Sequence, residues 1–271
     1  MPYSVCNDEV GVRGAMATEN ATEQEQQTEA PAVTRTRAKP LLASAAIVLG
    51  LGIAAMIWHA GHHPAPGAVS TSHGADGVTA VALSDFSGNL TVLAGGSAQI
   101  AATAQPVSGD RAPGLEFHLN ASTHLLTLAC YDQNGGQAIP CPATQYKISL
   151  PAGMGLNLIG FTGQATLTDL SGPVDLSGKS VYVDAQGLKT PSFTATVTSG
   201  TLNAAFAQAP AKVDVTVTSA QATLHLPGTV SYAVRQQTTS GYVQVSIPQS
   251  NAATRTVLAA ANSGEISLLT N

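Results

Sequence analysis

The chain has 271 residues, with 11 Lys and Arg against 16 Asp and Glu, a net charge of −5. Only 10% of residues are charged and 4% aromatic, while 44% are hydrophobic; soluble globular domains carry about 25% charged residues. That balance excludes a basic nucleic-acid-binding domain, argues against a charged helical protein, and leaves Val, Leu, Ile and Ala to build the core.

Residues 1–40 are polar and lack apolar periodicity. Thr18 to Thr36 holds Glu19, Glu23, Glu25, Glu29 and Pro31. Such a segment cannot bury enough surface to offset its ordering entropy, so a disordered tail is predicted. Leu41 to Trp58 is an uncharged run, LLASAAIVLGLGIAAMIW. As a helix it spans ~27 Å, enough for a thin bilayer. Arg35, Arg37 and Lys39 directly precede it, and no Lys or Arg follows until Arg111. The positive-inside rule then puts residues 1–40 in the cytoplasm and the C-terminal part outside, with residues 41–58 held by membrane lipid. A cleaved signal peptide and a buried soluble helix are the alternatives. The long acidic leader and the poor cleavage sequence His-Ala-Gly-His-His-Pro after Trp58 disfavour the first.

Residues 59–77 are rich in Pro, Gly, Ser and His and are expected to be a flexible linker. His59, His62, His63 and His73 could ligate a metal weakly, but a flexible linker supplies no outer shell to orient imidazoles. No metal or cofactor is expected.

From Val78 to Asn271 the texture is short alternating runs: VDVTVTS at Val213 to Ser219, QATLHLP at Gln221 to Pro227, YVQVSIP at Tyr242 to Pro248. Alternation with a period of two marks half-buried strands, so an all-β domain is predicted over residues 78–271. Within it a small polar residue and glycine recur ahead of strands: Thr162-Gly163, Ser177-Gly178, Ser199-Gly200, Ser240-Gly241 and Ser263-Gly264, with Ser219-Ala220 as a variant. Recurrence every ~20 residues fits a β-solenoid-like repeat, with Gly163, Gly178, Gly200, Gly241 and Gly264 as turn positions. A twisted β-sandwich is the alternative. Residues 78–130 and the tail Leu258 to Asn271 are expected to cap the ends.

The stretches Tyr146 to Leu176, Ser231 to Gln249 and Arg255 to Leu268 resemble the bacterial putative-adhesin domains built of short β-strand repeats. The resemblance implies a single-pass or exported surface protein with a solenoid-like domain. The turn acid usual in that family is replaced by Gln164, Lys179, Thr201, Gln221, Tyr242 and Glu265.

Cys130 and Cys141 flank YDQNGGQAIP, in which Asn134-Gly135-Gly136 signals a turn. The strands LLTLACY and TQYKISL are expected to leave and return as a hairpin-like excursion that brings the thiols together as a disulfide. His118, His124 and His225 read as surface histidines. No hydrolase elbow, zinc-protease helix motif or phosphate-binding loop occurs, so a non-enzymatic protein is expected. Asp169, Asp175, Asp184 and Asp214 sit at turns or outward positions; a glycan-active β-helix enzyme, which would pair such carboxylates, is disfavoured. The leading expectation is a membrane-anchored surface protein that binds cell wall or a surface protein. The alternative is an envelope-stress sensor whose cytoplasmic tail recruits a partner.

Overall fold

The computed structural model describes residues 67–107, 111–134 and 136–271. The expected tail, the apolar run 41–58, Arg35, Arg37, Lys39, His59, His62 and His63 lie outside the described residues. Among the described residues no helix is long and apolar enough to cross a membrane.

The described residues are all-β. In chain order the strands are β1 Val69–Gly74, β2 Ala80–Ser84, β3 Ser87–Gly95, β4 Gln99–Gln105, β5 Gly114–Asn120, β6 Leu125–Tyr131, β7 Ala138–Ile139 and β8 Thr144–Pro151. There follow β9 Gly155–Thr168, β10 Val174–Leu188, β11 Ser192–Phe206, β12 Lys212–Leu226, β13 Ala233–Thr238, β14 Tyr242–Val245, β15 Thr256–Ala261 and β16 Glu265–Thr270. The alternation places them. In β12, Val213, Val215 and Val217 are buried, while Asp214, Thr216 and Thr218 point the other way.

The four long strands β9 to β12 run parallel and nearly in register. A straight strand of 15 residues is about 50 Å long, and a three- to five-residue connection cannot return the chain to its start. Each strand therefore folds back on itself. In β11 the ring centroids of Phe193 and Phe206, near its two ends, lie only 5.4 Å apart in a T-shaped contact. Each long strand thus has two arms. The first arm of β9 pairs with β2 and the second with β3. Inward residues of both arms form one apolar core, in which Val183, Phe193, Val197, Leu202, Phe206 and Leu224 are fully buried.

The arms stack as tiers. On one arm the order is β6, β2, β9, β10, β11, β12, β15, β13; on the other it is β8, β3, β9, β10, β11, β12, β16, β14. Spatial order departs from chain order at both ends. The tier β6/β8 lies outside the earlier tier β2/β3. The C-terminal tier β15/β16 is inserted between β12 and the earlier tier β13/β14. This corrects the expectation that Leu258 to Asn271 form a cap. They form an interior tier whose inward side chains Ala259, Ala261, Ile266 and Leu268 are all at most 1% exposed. The outer tier β13/β14 ends the stack instead. Gln236 and Thr238 stand opposite Ala259 and Ala261, so two apolar columns finish in exposed polar side chains.

At the other end β1 pairs antiparallel with β4, and β4 with β8. Residues 69–74 are thus a strand within the stretch expected as linker. Val69, Thr71 and His73 are half-buried and alternate with exposed Ser70, Ser72 and Gly74, a pattern obscured in the sequence by the surrounding Pro, Gly and His.

Cys130 and Cys141 form a disulfide, with Cα atoms 5.2 Å apart. The hairpin differs from the expected one. Its return strand is the two-residue β7 on β6, whereas TQYKISL, as β8, leaves for β3 and β4. Elsewhere the bend between arms takes a few residues, as between β2 and β3. In the β6/β8 tier it expands into residues 132–143, and the disulfide closes the base of that loop. Cys130→Ala with Cys141→Ala should lower stability by about 3 kcal/mol on the chain-entropy account. Urea unfolding of oxidised protein against the double variant measures it; equal midpoints would show that tier packing alone holds the loop.

Candidate functional site

The bend between the arms imposes a common backbone geometry on every tier. Register places Gly88, Gly163, Val181, Gly200 and Ala220 in one row across β3, β9, β10, β11 and β12. Gly264 continues it beside the Ala220 carbonyl, and Gly241 beside the Gly264 carbonyl. Of the five turn glycines in the sequence pattern, four therefore meet in this row. Gly178 does not. It lies three residues short, opposite Phe161 and Val197. Ser180-Val181 occupies the equivalent place, which spacing from Ser177-Gly178 had hidden. At Gly163 (φ 125°) and Gly200 (φ 111°) the backbone adopts a conformation open only to glycine, and a Cβ would strike the carbonyl of the preceding tier.

Beside the glycine row runs a row of small hydroxyls, Ser87, Thr162, Ser180, Ser199 and Ser219. The hydroxyls of Ser180 and Ser199 are 3.2 Å apart, and that of Ser199 donates to the Lys179 carbonyl at 2.9 Å. On the other side, the first outward residue of each second arm forms a longer row: Gln145, Asn89, Gln164, Tyr182, Thr201, Gln221, Glu265 and Tyr242, on β8, β3, β9, β10, β11, β12, β16 and β14. Two residues further along lies a parallel row, Lys147, Thr91, Thr166, Asp184, Asn203, Thr223, Ser267 and Gln244. All of these side chains are half-buried or exposed except those of the core columns between them. Successive tiers are ~4.8 Å apart, so the two rows form a regular ladder of amides, hydroxyls and carboxylates.

Two shallow concavities lie at opposite ends of this face. One of about 370 Å³ is lined by Asn89, Thr91, Gln145 and Lys147. The other, of about 430 Å³, is lined by Gln221, Ser240, Tyr242, Ser263 and Glu265. A larger groove of about 550 Å³ lies away from the ladder, beside the disulfide, between Asp85, Thr127 and Lys179.

The remaining polar groups are dispersed. His118 Nε2 is 2.6 Å from the Tyr131 hydroxyl and 3.9 Å from Glu116, at the exposed β5–β6 hairpin. A turn over residues 121–124 separates His118 from the strand β6, and His124 Nδ1 lies 2.8 Å from the Gly77 carbonyl. The His73 ring packs edge-on to Phe117. Among the described residues no three His, Cys, Asp or Glu side chains could jointly hold a metal. Asp175 and Asp214 share a row but are separated by Thr194.

Tyr146, beneath the start of the ladder, is 2% exposed, and its hydroxyl donates to the Pro142 carbonyl at 2.8 Å. Burial pushes its phenol well above the ordinary value of 10. The unfolded chain therefore gives up this proton first. The stabilisation is complete below about pH 10 and declines as pH rises beyond it. In urea titrations from pH 8 to 11, Tyr146→Phe should show a shallower alkaline decline than the parent; identical slopes would contradict this.

The ladder was legible only as alternation in single strands. Which outward residues share a row depends on register between tiers. The signal that could have aligned them was the hydroxyl preceding the bend, including Ser180, and not glycine itself.

No protein-family model matches the chain, and no curated protein matches it in sequence. Among solved structures it is similar to a "putative cell adhesion protein" from Clostridium sporogenes, with a TM-score of 0.44 and 11% identity, over 75% of this chain and 99% of that one. It is similar to a "putative adhesin" from Bacteroides fragilis, with a TM-score of 0.37 and 11% identity, over 77% and 100% of the two chains. A "putative adhesin" from Parabacteroides merdae gives a TM-score of 0.35 and 10% identity, over 76% and 98%.

Proposed function

We propose that this chain is an adhesin-like surface protein that binds through the ladder face and has no catalytic role. The observation that carries the reading is the register. Eight tiers present their outward side chains in two rows, each of them half-buried or exposed. Such a face suits an extended ligand held by many weak hydrogen bonds, each worth about 1 kcal/mol.

Two structural refinements belong to the same reading. The tiers form a β-solenoid, supported by parallel pairing and the Phe193–Phe206 contact, where an antiparallel sandwich would keep strand ends apart. Residues 41–58 anchor the chain in a membrane through lipid contact, with residues 1–40 cytoplasmic and the β domain facing cell wall or a surface protein; the support is the apolar run and Arg35, Arg37 and Lys39 before it.

Labelled full-length chain should bind saturably to cells and isolated cell wall of the source organism, and heat-denatured chain should not. Equal binding by both would contradict a recognition role.

A further inference from the structure

We infer that the ladder face binds an extended, uncharged β-linked polysaccharide laid across the strands, with Tyr182 and Tyr242 stacking on sugar rings at its two ends. The inference rests on the reading of this face as a recognition surface and names the ligand class.

Tyr182 is 48% and Tyr242 60% exposed, and both fall in the same register row. A single exposed tyrosine is ordinary on a protein surface. Two in one row, with only Thr201, Gln221 and Glu265 between them, make a bounded platform. They are four tiers apart, about 19 Å at the usual strand spacing. Tyrosine offers a rigid apolar face and a polar tip at low entropic cost, which suits the apolar face of a pyranose ring.

The spacing fits the same ligand. An extended β-linked sugar chain advances by one ring in nearly the distance that separates neighbouring strands. Each ring can therefore meet an equivalent set of groups from successive tiers. Those groups are the right ones. Gln221 and Asn203 offer amides that both donate and accept, Thr201 and Thr223 offer hydroxyls, and Glu265 and Asp184 accept from paired sugar hydroxyls. The concavity of about 430 Å³ beside Tyr242, lined also by Gln221, Ser263 and Glu265, gives one end of the chain a seat.

Charge excludes the competing polymers. From β9 to β14 the two rows carry Asp184 and Glu265 and no Lys or Arg. A polyanion such as a nucleic acid or a phosphate-bearing wall polymer would be repelled. A flat protein epitope would leave the tier-by-tier repeat without purpose.

The test uses full-length chain with chitin and cellulose hexasaccharides, the corresponding insoluble polymers, and dextran sulfate as a polyanion. Co-sedimentation and calorimetric titration are run on the parent, Y182A, Y242A, the double variant, and L119A on the distant β5–β6 hairpin. Thermal melts of each variant check that the fold survives. Expected is binding to at least one neutral polymer and none to dextran sulfate. Each tyrosine variant should weaken it about 5-fold, the double variant at least about 20-fold, and L119A not at all. Binding unchanged in a folded double variant overturns the inference, as does parent chain that retains neither neutral glycan. If the parent binds cells saturably, loses this in the double variant, and no glycan competes, the glycan inference fails while the recognition face stands. If the parent binds no cells or walls at all, both fail.

Discussion

Chain ending at Asn251 should lose its cooperative fold. Removing residues 252–271 takes out β15 and β16, the tier wedged between β12 and the outer pair β13/β14. Val257, Ile266 and Leu268, each at most 1% exposed, would be lost. At ~1.5–3 kcal/mol per buried aliphatic side chain they alone supply roughly 5–9 kcal/mol. A domain's whole stability is about 5–15 kcal/mol. Val213, Val215, Val217 and Leu224 of β12 would also lose the neighbours that cover their outer side. A C-terminal cap could be trimmed at little cost; an interior tier cannot. The check is limited proteolysis and a thermal melt of the truncated chain, with cleavage expected throughout residues 227–251 and a melt that is broad or absent. A sharp transition near that of the full chain would mean that β13/β14 can dock directly on β12, and that the inserted order contributes little.

Gly200→Ala should cost on the order of 3 kcal/mol, and Gly178→Ala a smaller amount, about 1–2 kcal/mol, although both stand in the same Ser-Gly sequence pattern. The difference is geometric. Gly200 has φ 111°, and its added Cβ would meet the Val181 backbone carbonyl, which belongs to the tier ladder and cannot step aside. Gly178 has no such φ, and its Cβ would meet Val181 side-chain carbons and no backbone, Cγ1 at 2.5 Å, Cγ2 at 3.1 Å and Cβ at 3.3 Å, so the cost is local overpacking without backbone strain. For a domain of this size, 3 kcal/mol corresponds to a fall in Tm of roughly 6–12 °C. Paired thermal melts decide it; equal shifts for the two variants would mean that the bend does not constrain Gly200.

The same pair of glycines shows what the sequence could and could not reveal. Alternation in VDVTVTS and QATLHLP identified strands and their buried faces correctly, because side-chain period and burial are local. The bend was legible as a recurring hydroxyl and glycine, but a local pattern carries no register. Ser177-Gly178 fits the local pattern and Ser180-Val181 does not, yet pairing with Thr162 and Ser199 selects the second. Tier order is harder still. The inward residues of β15, Val257, Ala259 and Ala261, resemble those of any other tier, so nothing in them announces insertion ahead of β13. The disulfide could be anticipated from the turn between its cysteines. Its return partner could not, because β7 is two residues long and β8 finds a better apolar match in Leu90 and Val92 of β3. The ladder face depends on all of this register, which is why Gln164, Thr201, Gln221, Tyr242 and Glu265 stood out only as replaced turn acids, Asp184 only as an outward carboxylate, and Tyr182 not at all.

The central claim is that the aligned polar face recognises a surface ligand. Binding isotherms of labelled full-length chain on source cells and isolated walls test it, comparing the parent with a variant carrying Gln164→Ala, Thr201→Ala and Gln221→Ala. These three side chains lie in one row and are half-exposed or exposed, so the variant should fold as the parent does. The account predicts saturable binding by the parent and at least about 10-fold weaker binding by the variant, as loss of three hydrogen-bonding groups implies. Saturable binding that the folded variant retains in full would contradict it.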